Sequence, residues 1–278
     1  MLTAFLDHPR PVAFAHRGGA AHAPENSWRA FEHAVGLGYW YLETDVQATA
    51  DGALIAFHDR TLDRVTGQPG RIARLPYREV AKALIGGTEP IPLLEDLLGA
   101  WPDVRFNIDV KDAPAVQPLA EVLRRTGAWE RVCVTSFSAS RLRTVRRVLD
   151  QQVCMAASPL AAAVVRFGGP RGPRDRTRPR QGRPGQPRSA DRGAYPALAD
   201  RLARTGVRCA QVPASVATPS FVARAHALGL DVHAWTVNSP DLMHRLLDSG
   251  VDGIMTDETV VLRDVLLSRG EWHPRPEG

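Results

Sequence analysis

Nine short apolar runs alternate with amphipathic stretches along most of the chain. The runs cover residues 12–15, 41–46, 54–57, 106–110, 132–136, 153–157, 208–212, 232–237 and 253–256. They are rich in β-branched, aromatic or other apolar residues and are bounded by glycine, proline or polar residues, which predicts strands. Between them, apolar residues recur at steps of three and four. Trp28, Phe31 and Val35 form one such stripe, and Leu142, Val145 and Leu149 form another, which predicts helices with one buried face. The helix ends are marked as well. Ser27 or Asn26, Ser138, Thr218-Pro219 and Ser239-Pro240 can each open a helix, and Pro92 opens one over 93–98. Gly36, Gly38, Gly229 and Gly250 close them, in keeping with the preference for proline inside a helix start and glycine past its end.

One spacing departs from this rhythm. Only six residues, Gln47 to Gly52, separate the second run from the third. A parallel crossover needs about a dozen or more. The third run must therefore return antiparallel, as a hairpin turning at Asp51-Gly52. Setting it aside leaves eight strands alternating with helices, the pattern of an α/β (β/α)8 TIM barrel. Residues 60–92 fit no βα unit and are expected to form a small cap insertion over the barrel mouth. The barrel is expected to be a single domain over 11–268, followed by a loose tail over 269–278.

Alternation along the strands then places the chemistry. In residues 41–46, Leu42, Thr44 and Val46 share one face, so Glu43 and Asp45 share the other. Two carboxylates on one buried face repel, and each raises the other's pKa unless a cation lies between them. Hard divalent cations such as Mg²⁺ or Ca²⁺ favour such oxygen ligands. In residues 105–111, Asn107, Asp109 and Lys111 share a face, which adds a third carboxylate and a cation. His16 and Arg17 follow the first run, and His58 and Asp59 follow the hairpin return. Polar residues at so many strand ends point to one convergent site at the barrel mouth.

Composition narrows the picture. Of the 278 residues, 44% are hydrophobic, enough for a sizeable core, and the longest apolar runs fall well short of a membrane span. The first residues lack the basic start and apolar run of a signal peptide, so a cytoplasmic location is expected. The three cysteines, Cys133, Cys154 and Cys209, sit in apolar runs without zinc-ligand spacing and read as small buried hydrophobes. The net charge of +5 is not a property of the fold. Residues 166–193 hold nine arginines and two aspartates, which leaves −2 for the remainder. Nucleic-acid binding and stable membrane insertion are therefore not expected. The 166–193 segment is rich in Arg, Gly and Pro and lacks Leu, Ile and Val. It reads either as a disordered basic insertion or as a stretch translated out of frame.

Together, His16-Arg17-Gly18, Pro24-Glu25-Asn26, Glu43-x-Asp45, Phe57-His58-Asp59, Asp109-x-Lys111, Ser136-Phe137, Trp235-Thr236-Val237-Asn238 and the run from Gly250 to Asp257 resemble the glycerophosphodiester phosphodiesterase family, within the phospholipase C-like phosphodiesterases. The resemblance extends over most of residues 12–266. It implies His16 and His58 as general acid and base, and Glu43, Asp45 and Asp109 as ligands of a divalent metal. At the third ligand position the family usually carries Glu, one methylene longer. Arg17 and Lys111 match phosphate contacts, and Trp235 matches an aromatic beside the substrate glycerol. The implied reaction is hydrolysis of a small-molecule glycerophosphodiester to glycerol 3-phosphate and an alcohol, through a cyclic phosphate. Two rivals are a lysophospholipase D or sphingomyelinase-like phosphodiesterase, and an inactive phosphodiester-binding homologue. Duller roles stand beside several assignments. Lys111 could pair with Asp109 or Asp112, Trp235 could be core, Asn26 could cap a helix, and Asp257 could cap the last helix. His22, His33, His226, His233 and His244 read as structural or surface residues.

Overall fold

The computed structural model describes residues 4–158, 161–163, 165, 199–200 and 202–276. The Arg-rich segment 166–193 lies outside the described residues. Eight parallel strands close into a barrel: β1 (Val12–Ala15), β2 (Tyr41–Ala48), β6 (Arg105–Val110), β7 (Val132–Thr135), β8 (Cys154–Ala156), β9 (Val207–Pro213), β10 (Asp231–Trp235) and β11 (Gly253–Thr256). Closure is made by β1, which pairs with β11 on one side and β2 on the other. The fold is the (β/α)8 TIM barrel.

The hairpin forms as the short spacing requires. β3 (Leu54–Ala56) runs antiparallel to β2, with Val46 opposite Ala56 and Ala48 opposite Leu54. Gly52 in the turn has φ 86°, a region that glycine enters without steric cost. The hairpin leads into the cap. There α2 (Asp63–Thr66), α3 (Tyr77–Val80) and the two-residue strands β4 (Leu84–Ile85) and β5 (Glu89–Pro90) surround a small core of their own. Ile55, Phe57, Leu62, Ile72, Val80, Ile85 and Ile91 form it.

The helices begin where their caps stand. Ser27 accepts from the Ala30 amide at the start of α1 (Trp28–Gly36), and Ser138 accepts from the Arg141 amide at the start of α6 (Ala139–Val148). Thr218 does the same for α7 (Pro219–Ala227). Each such cap stabilises by about 1 kcal/mol. α4 (Leu94–Ala100), α5 (Val116–Thr126), α8 (Pro240–Asp248) and α9 (Thr259–Ser268) complete the described helices longer than one turn. Their apolar faces pack on the outward side of the strands, where Leu42, Val46, Phe106, Ile108 and Val134 point.

The inside of the barrel is a second, separate core. Phe5, Leu6, Val12, Phe14, Tyr41 and the three cysteines fill it. The short turn Ala4–Leu6 plugs the lower end, and Tyr41 Oη donates to the Phe5 carbonyl at 2.7 Å. The expectation of a loose tail is corrected here as far as residue 276. Trp272 stacks edge-on against Tyr39 at 5.1 Å, and the Arg275 amide donates to the Gly38 carbonyl at 2.8 Å. An aromatic ring with a buried partner supplies the anchor that composition alone did not reveal.

His233 stands in this inner core against the Phe14 ring, fully buried, and neither ring nitrogen has a hydrogen-bond partner. Burial pushes its pKa down to about 4 from 6.5, against the pull of Asp231 and Asp252. The unfolded chain therefore binds the extra proton between those two values. The resulting stability is present above pH 6.5 and is lost as pH falls toward 4, on the order of 3 kcal/mol in all. Urea unfolding across that window should show a smaller loss for His233→Leu than for the parent protein.

Candidate active site

The site is built from the carboxyl ends of the strands, where barrel enzymes place their chemistry. The inward residues of β2 are Tyr41, Glu43 and Asp45, from floor to mouth. Asp45 lies in register with Asp109 of β6, and Glu43 with Asn107. Glu43, Asp45 and Asp109 are all nearly inaccessible to solvent. His16, Arg17, His58, Lys111 and Trp235 line the same cavity of about 520 Å³, so all eight sequence-predicted residues converge.

Electrostatics dominates the arrangement. Lys111 Nζ donates to Asp109 Oδ2 at 2.6 Å and lies 2.7 Å from Asp45 Oδ1. Arg17 Nε lies 3.1 Å from Asp45 Oδ2. Burial would raise the Asp45 pKa, but Lys111 and Arg17 outweigh it and hold the carboxyl below its ordinary value. Glu43 is less well compensated. Burial, then the charge of Asp45, push it up to about 7, although the Arg17 amide donates to its Oε2 at 3.0 Å. Asp109 is raised too, by burial that Lys111 only partly offsets. Its Oδ1 is buried without a hydrogen-bond partner. Two carboxylates short of positive charge beside a third, one of the two with an orphaned oxygen, fit a hard divalent cation. Lys111 does pair structurally, but with Asp109 and Asp45; Asp112 instead accepts from the Ala115 amide.

The backbone after β1 explains how Arg17 serves two carboxylates. His16–Gly18 makes a 3-10 turn in which Arg17 adopts φ 51°. This left-handed conformation is uncommon outside glycine. It presents the Arg17 amide to Glu43 while its side chain reaches Asp45 and Glu25. Gly18 is required beside it, since a Cβ there would lie 2.8 Å from the Ala30 Cβ.

Each histidine is held by a carboxylate. His16 Nδ1 lies 2.6 Å from Asp257 Oδ1, and Asn238 Nδ2 donates to the other Asp257 oxygen at 2.8 Å. His58 Nδ1 lies 2.6 Å from Asp59 Oδ1. Because a carboxylate only accepts, Nδ1 carries the proton in both rings. Burial opposes the charged form of His16, yet the Asp257 hydrogen bond and the Glu43 charge bring its pKa above 6.5. Behind His58, Arg64 of the cap donates to Asp59 at 2.5 Å and to both oxygens of Glu25, which in turn accepts from Arg17 at 3.2 Å. One polar chain thus ties the cap to both sides of the site.

Sequence reasoning missed the parts played by Asp257, Glu25, Asp59 and Arg64. Asp257 was open as a helix cap; α9 instead starts after Glu258, with no side-chain cap, and Asp257 serves His16. Asn26 is no cap either, since Ser27 takes that role. Its amide donates to Asp45 at 3.1 Å and its carbonyl accepts from Thr44 at 2.8 Å. Trp235 meets Phe137 edge-on at 5.6 Å and forms part of an apolar cavity wall with Val212, Pro213 and Val216. His226 and His244 pair elsewhere, with Asp252 and Arg269.

Comparison with known proteins identifies the family. Residues 16–261 match the model of the "Glycerophosphoryl diester phosphodiesterase family". The chain is 42% identical to "Probable glycerophosphodiester phosphodiesterase 2" of Mycobacterium tuberculosis, over 96% of this chain and 95% of that protein. It is 26% identical to a glycerophosphodiester phosphodiesterase of Caldanaerobacter subterraneus, over 94% of this chain and 100% of that one. In fold it is similar to an Oleispira antarctica phosphodiesterase solved in complex with the product sn-glycerol-3-phosphate. That match has a TM-score of 0.71 at 21% identity and covers 92% of this chain and 97% of that one. A (β/α)8 barrel with this cluster at its mouth belongs to the phosphodiesterases, and the chain is a member of the glycerophosphoryl diester phosphodiesterase family. Among the described residues, no helix is long and apolar enough to cross a membrane.

Two outcomes follow from the charge balance. Asp257→Asn removes the carboxylate that favours protonated His16, so an NMR titration of the imidazole should show its pKa fall. Lys111→Met leaves two buried carboxylates without their shared cation and should cost about 3–5 kcal/mol. Mg²⁺ or Ca²⁺ should restore part of that loss in thermal unfolding.

Proposed function

We propose that the chain hydrolyses glycerophosphodiesters to glycerol 3-phosphate and an alcohol, with His16 and His58 as the acid–base pair. The observation that carries this reading is the matched engagement of the two histidines, each with Nδ1 at 2.6 Å from a carboxylate. That leaves Nε2 of each ring to exchange protons with a substrate in the cavity. Arg17 and Lys111 bind the phosphate oxygens. Glu43, Asp45 and Asp109 hold the divalent cation, Mg²⁺ or Ca²⁺. When bound, that cation offsets the charge that grows on the phosphoryl oxygens. Lys111 already lies between Asp45 and Asp109, so the shorter Asp109 is consistent with a site shared between metal and ammonium.

The reaction runs in two displacements. The glycerol hydroxyl beside the ester attacks phosphorus as one histidine takes its proton and the other protonates the departing alcohol oxygen. The ring oxygen–phosphorus bond forms as the ester bond breaks, which gives a cyclic phosphate. Water then opens that ring with the two proton transfers reversed, and glycerol 3-phosphate is released. Trp235 packs against the glycerol. The substrate is a small molecule.

A second reading has one observation in its favour. Phe137, Trp235, Val212, Pro213, Val216 and Ala157 make one wall of the cavity apolar, which suits a lysophospholipase D acting on an acylated substrate. Against it, Arg60 and Arg71 of the cap are exposed. Turnover of glycerophosphocholine against lysophosphatidylcholine discriminates the two, and absence of turnover on both would leave the phosphodiester-binding homologue.

Glycerol 3-phosphate release should require Mg²⁺ or Ca²⁺ and stop with a chelator. His16→Ala and His58→Ala should each lower the rate by about 10²–10⁴-fold. Asp109→Glu should retain metal-dependent activity. Unchanged turnover in the His16 variant overturns the acid–base assignment.

A further inference from the structure

Below the catalytic cavity, the inner core holds a second cluster of metal-ligating side chains. Cys133 of β7, Cys154 of β8 and Cys209 of β9 project into the barrel, and their sulfurs all lie within 4.8 Å of one another. Cys133 and Cys209 Sγ are 3.9 Å apart. The three side chains are at most 1% exposed. They are also every cysteine in the chain.

We propose that these three thiols are a trigonal site for a soft d10 cation, of the class of Cu⁺, Cd²⁺ or Hg²⁺, distinct from the carboxylate site above it. Three sulfurs around one ion at the thiolate bond length of about 2.3 Å lie roughly 4 Å apart in a plane. The sulfurs already stand close to that spacing. Thiolates select soft metals, whereas the carboxylates of the mouth select hard ones. The two sites therefore sort cations by donor chemistry.

The strand geometry excludes a disulfide between the outer two thiols. Cys133 and Cys209 lie on strands separated by β8, which sets their backbones about two strand spacings, or roughly 9.5 Å, apart. A disulfide bridges Cα atoms only up to about 7 Å. Their sulfurs meet without being able to bond. Cys154, in register with Cys133, stands between the two. Any single oxidised pair would leave a third sulfur over.

Uptake is a proton exchange with no change of oxidation state. Burial holds the Cys133 thiol protonated, well above its ordinary pKa. A cation that binds all three sulfurs breaks three S–H bonds, forms three metal–sulfur bonds and sends three protons to solvent. Gln211 Nε2 points at Cys209 Sγ from 3.8 Å and also donates to Asn107 at 2.7 Å. An N–H so placed favours a thiolate. Gln211 and Asn107 line the cavity floor, so this amide pair separates the two metal chemistries.

The test is a Cd²⁺ titration of the full chain, reduced with a phosphine, in excess Mg²⁺ to fill the carboxylate site. The expected result is a thiolate-to-cadmium charge-transfer absorption in the ultraviolet that saturates at one Cd²⁺ per chain, with protons released. Cys133→Ala and Cys209→Ala should each weaken binding at least tenfold, since loss of even an outer-shell partner costs about 10–100-fold. No absorption in the parent protein overturns the proposal, whether or not the variants fold. So does an absorption that excess Mg²⁺ abolishes, or one that a folded alanine variant retains at full affinity.

Discussion

The architecture of the site depends on one constraint: three carboxylates face inward on two adjacent levels of a closed barrel. Glu43, Asp45 and Asp109 share the inward face because β2 and β6 pair in register with Asp45 beside Asp109. Left alone in a low-dielectric interior they could not all ionise. Lys111 and the left-handed Arg17 supply the compensation, and their shortfall is concentrated on Glu43 and on the orphaned oxygen of Asp109. The same imbalance that makes the apo site costly makes it receptive to a further cation. Breaking a buried ion pair costs about 3–5 kcal/mol, far more than an exposed pair is worth, so the positions of these charges are more tightly constrained than those of the many surface pairs.

The histidines obey a different logic. Neither depends on the carboxylate triad for orientation; each has its own acceptor, Asp257 for His16 and Asp59 for His58. Asp257 is fixed in turn by Asn238, and Asp59 by Arg64. The Arg64–Glu25–Arg17 connection then carries the hold on His58 across to the phosphate side. Geometry of this kind separates two tasks. The barrel strands set where charge accumulates, and the loops beyond them set which ring nitrogen faces the cavity.

Much of this was legible in the sequence because alternation is a strict rule. Leu42, Thr44 and Val46 face the helices, so Glu43 and Asp45 had to face inward, and the six-residue gap before Leu54 could only be a hairpin. The eight strands fall within a few residues of their expected bounds. What stayed hidden depends on contacts distant in sequence. Asp257 meets His16 across 241 positions, and Arg64 meets Glu25 across 39. No local periodicity encodes such a pairing. The tail was misread for the same reason, since Trp272 is anchored by Tyr39, far upstream. The cysteines were rightly placed as buried hydrophobes, but their convergence depends on β7, β8 and β9 being neighbours, which spacing along the chain does not reveal.

The hairpin carries a last implication. His16 sits on the end of a barrel strand, whereas His58 follows the hairpin return into the cap, whose apolar centre of Phe57, Leu62, Ile72 and Ile85 is separate from that of the barrel. The gap between the two rings is thus set by how one small body seats on a larger one. Repacking the smaller body would retune that gap, and with it the size of ester the site can straddle, while leaving the barrel's own folding untouched.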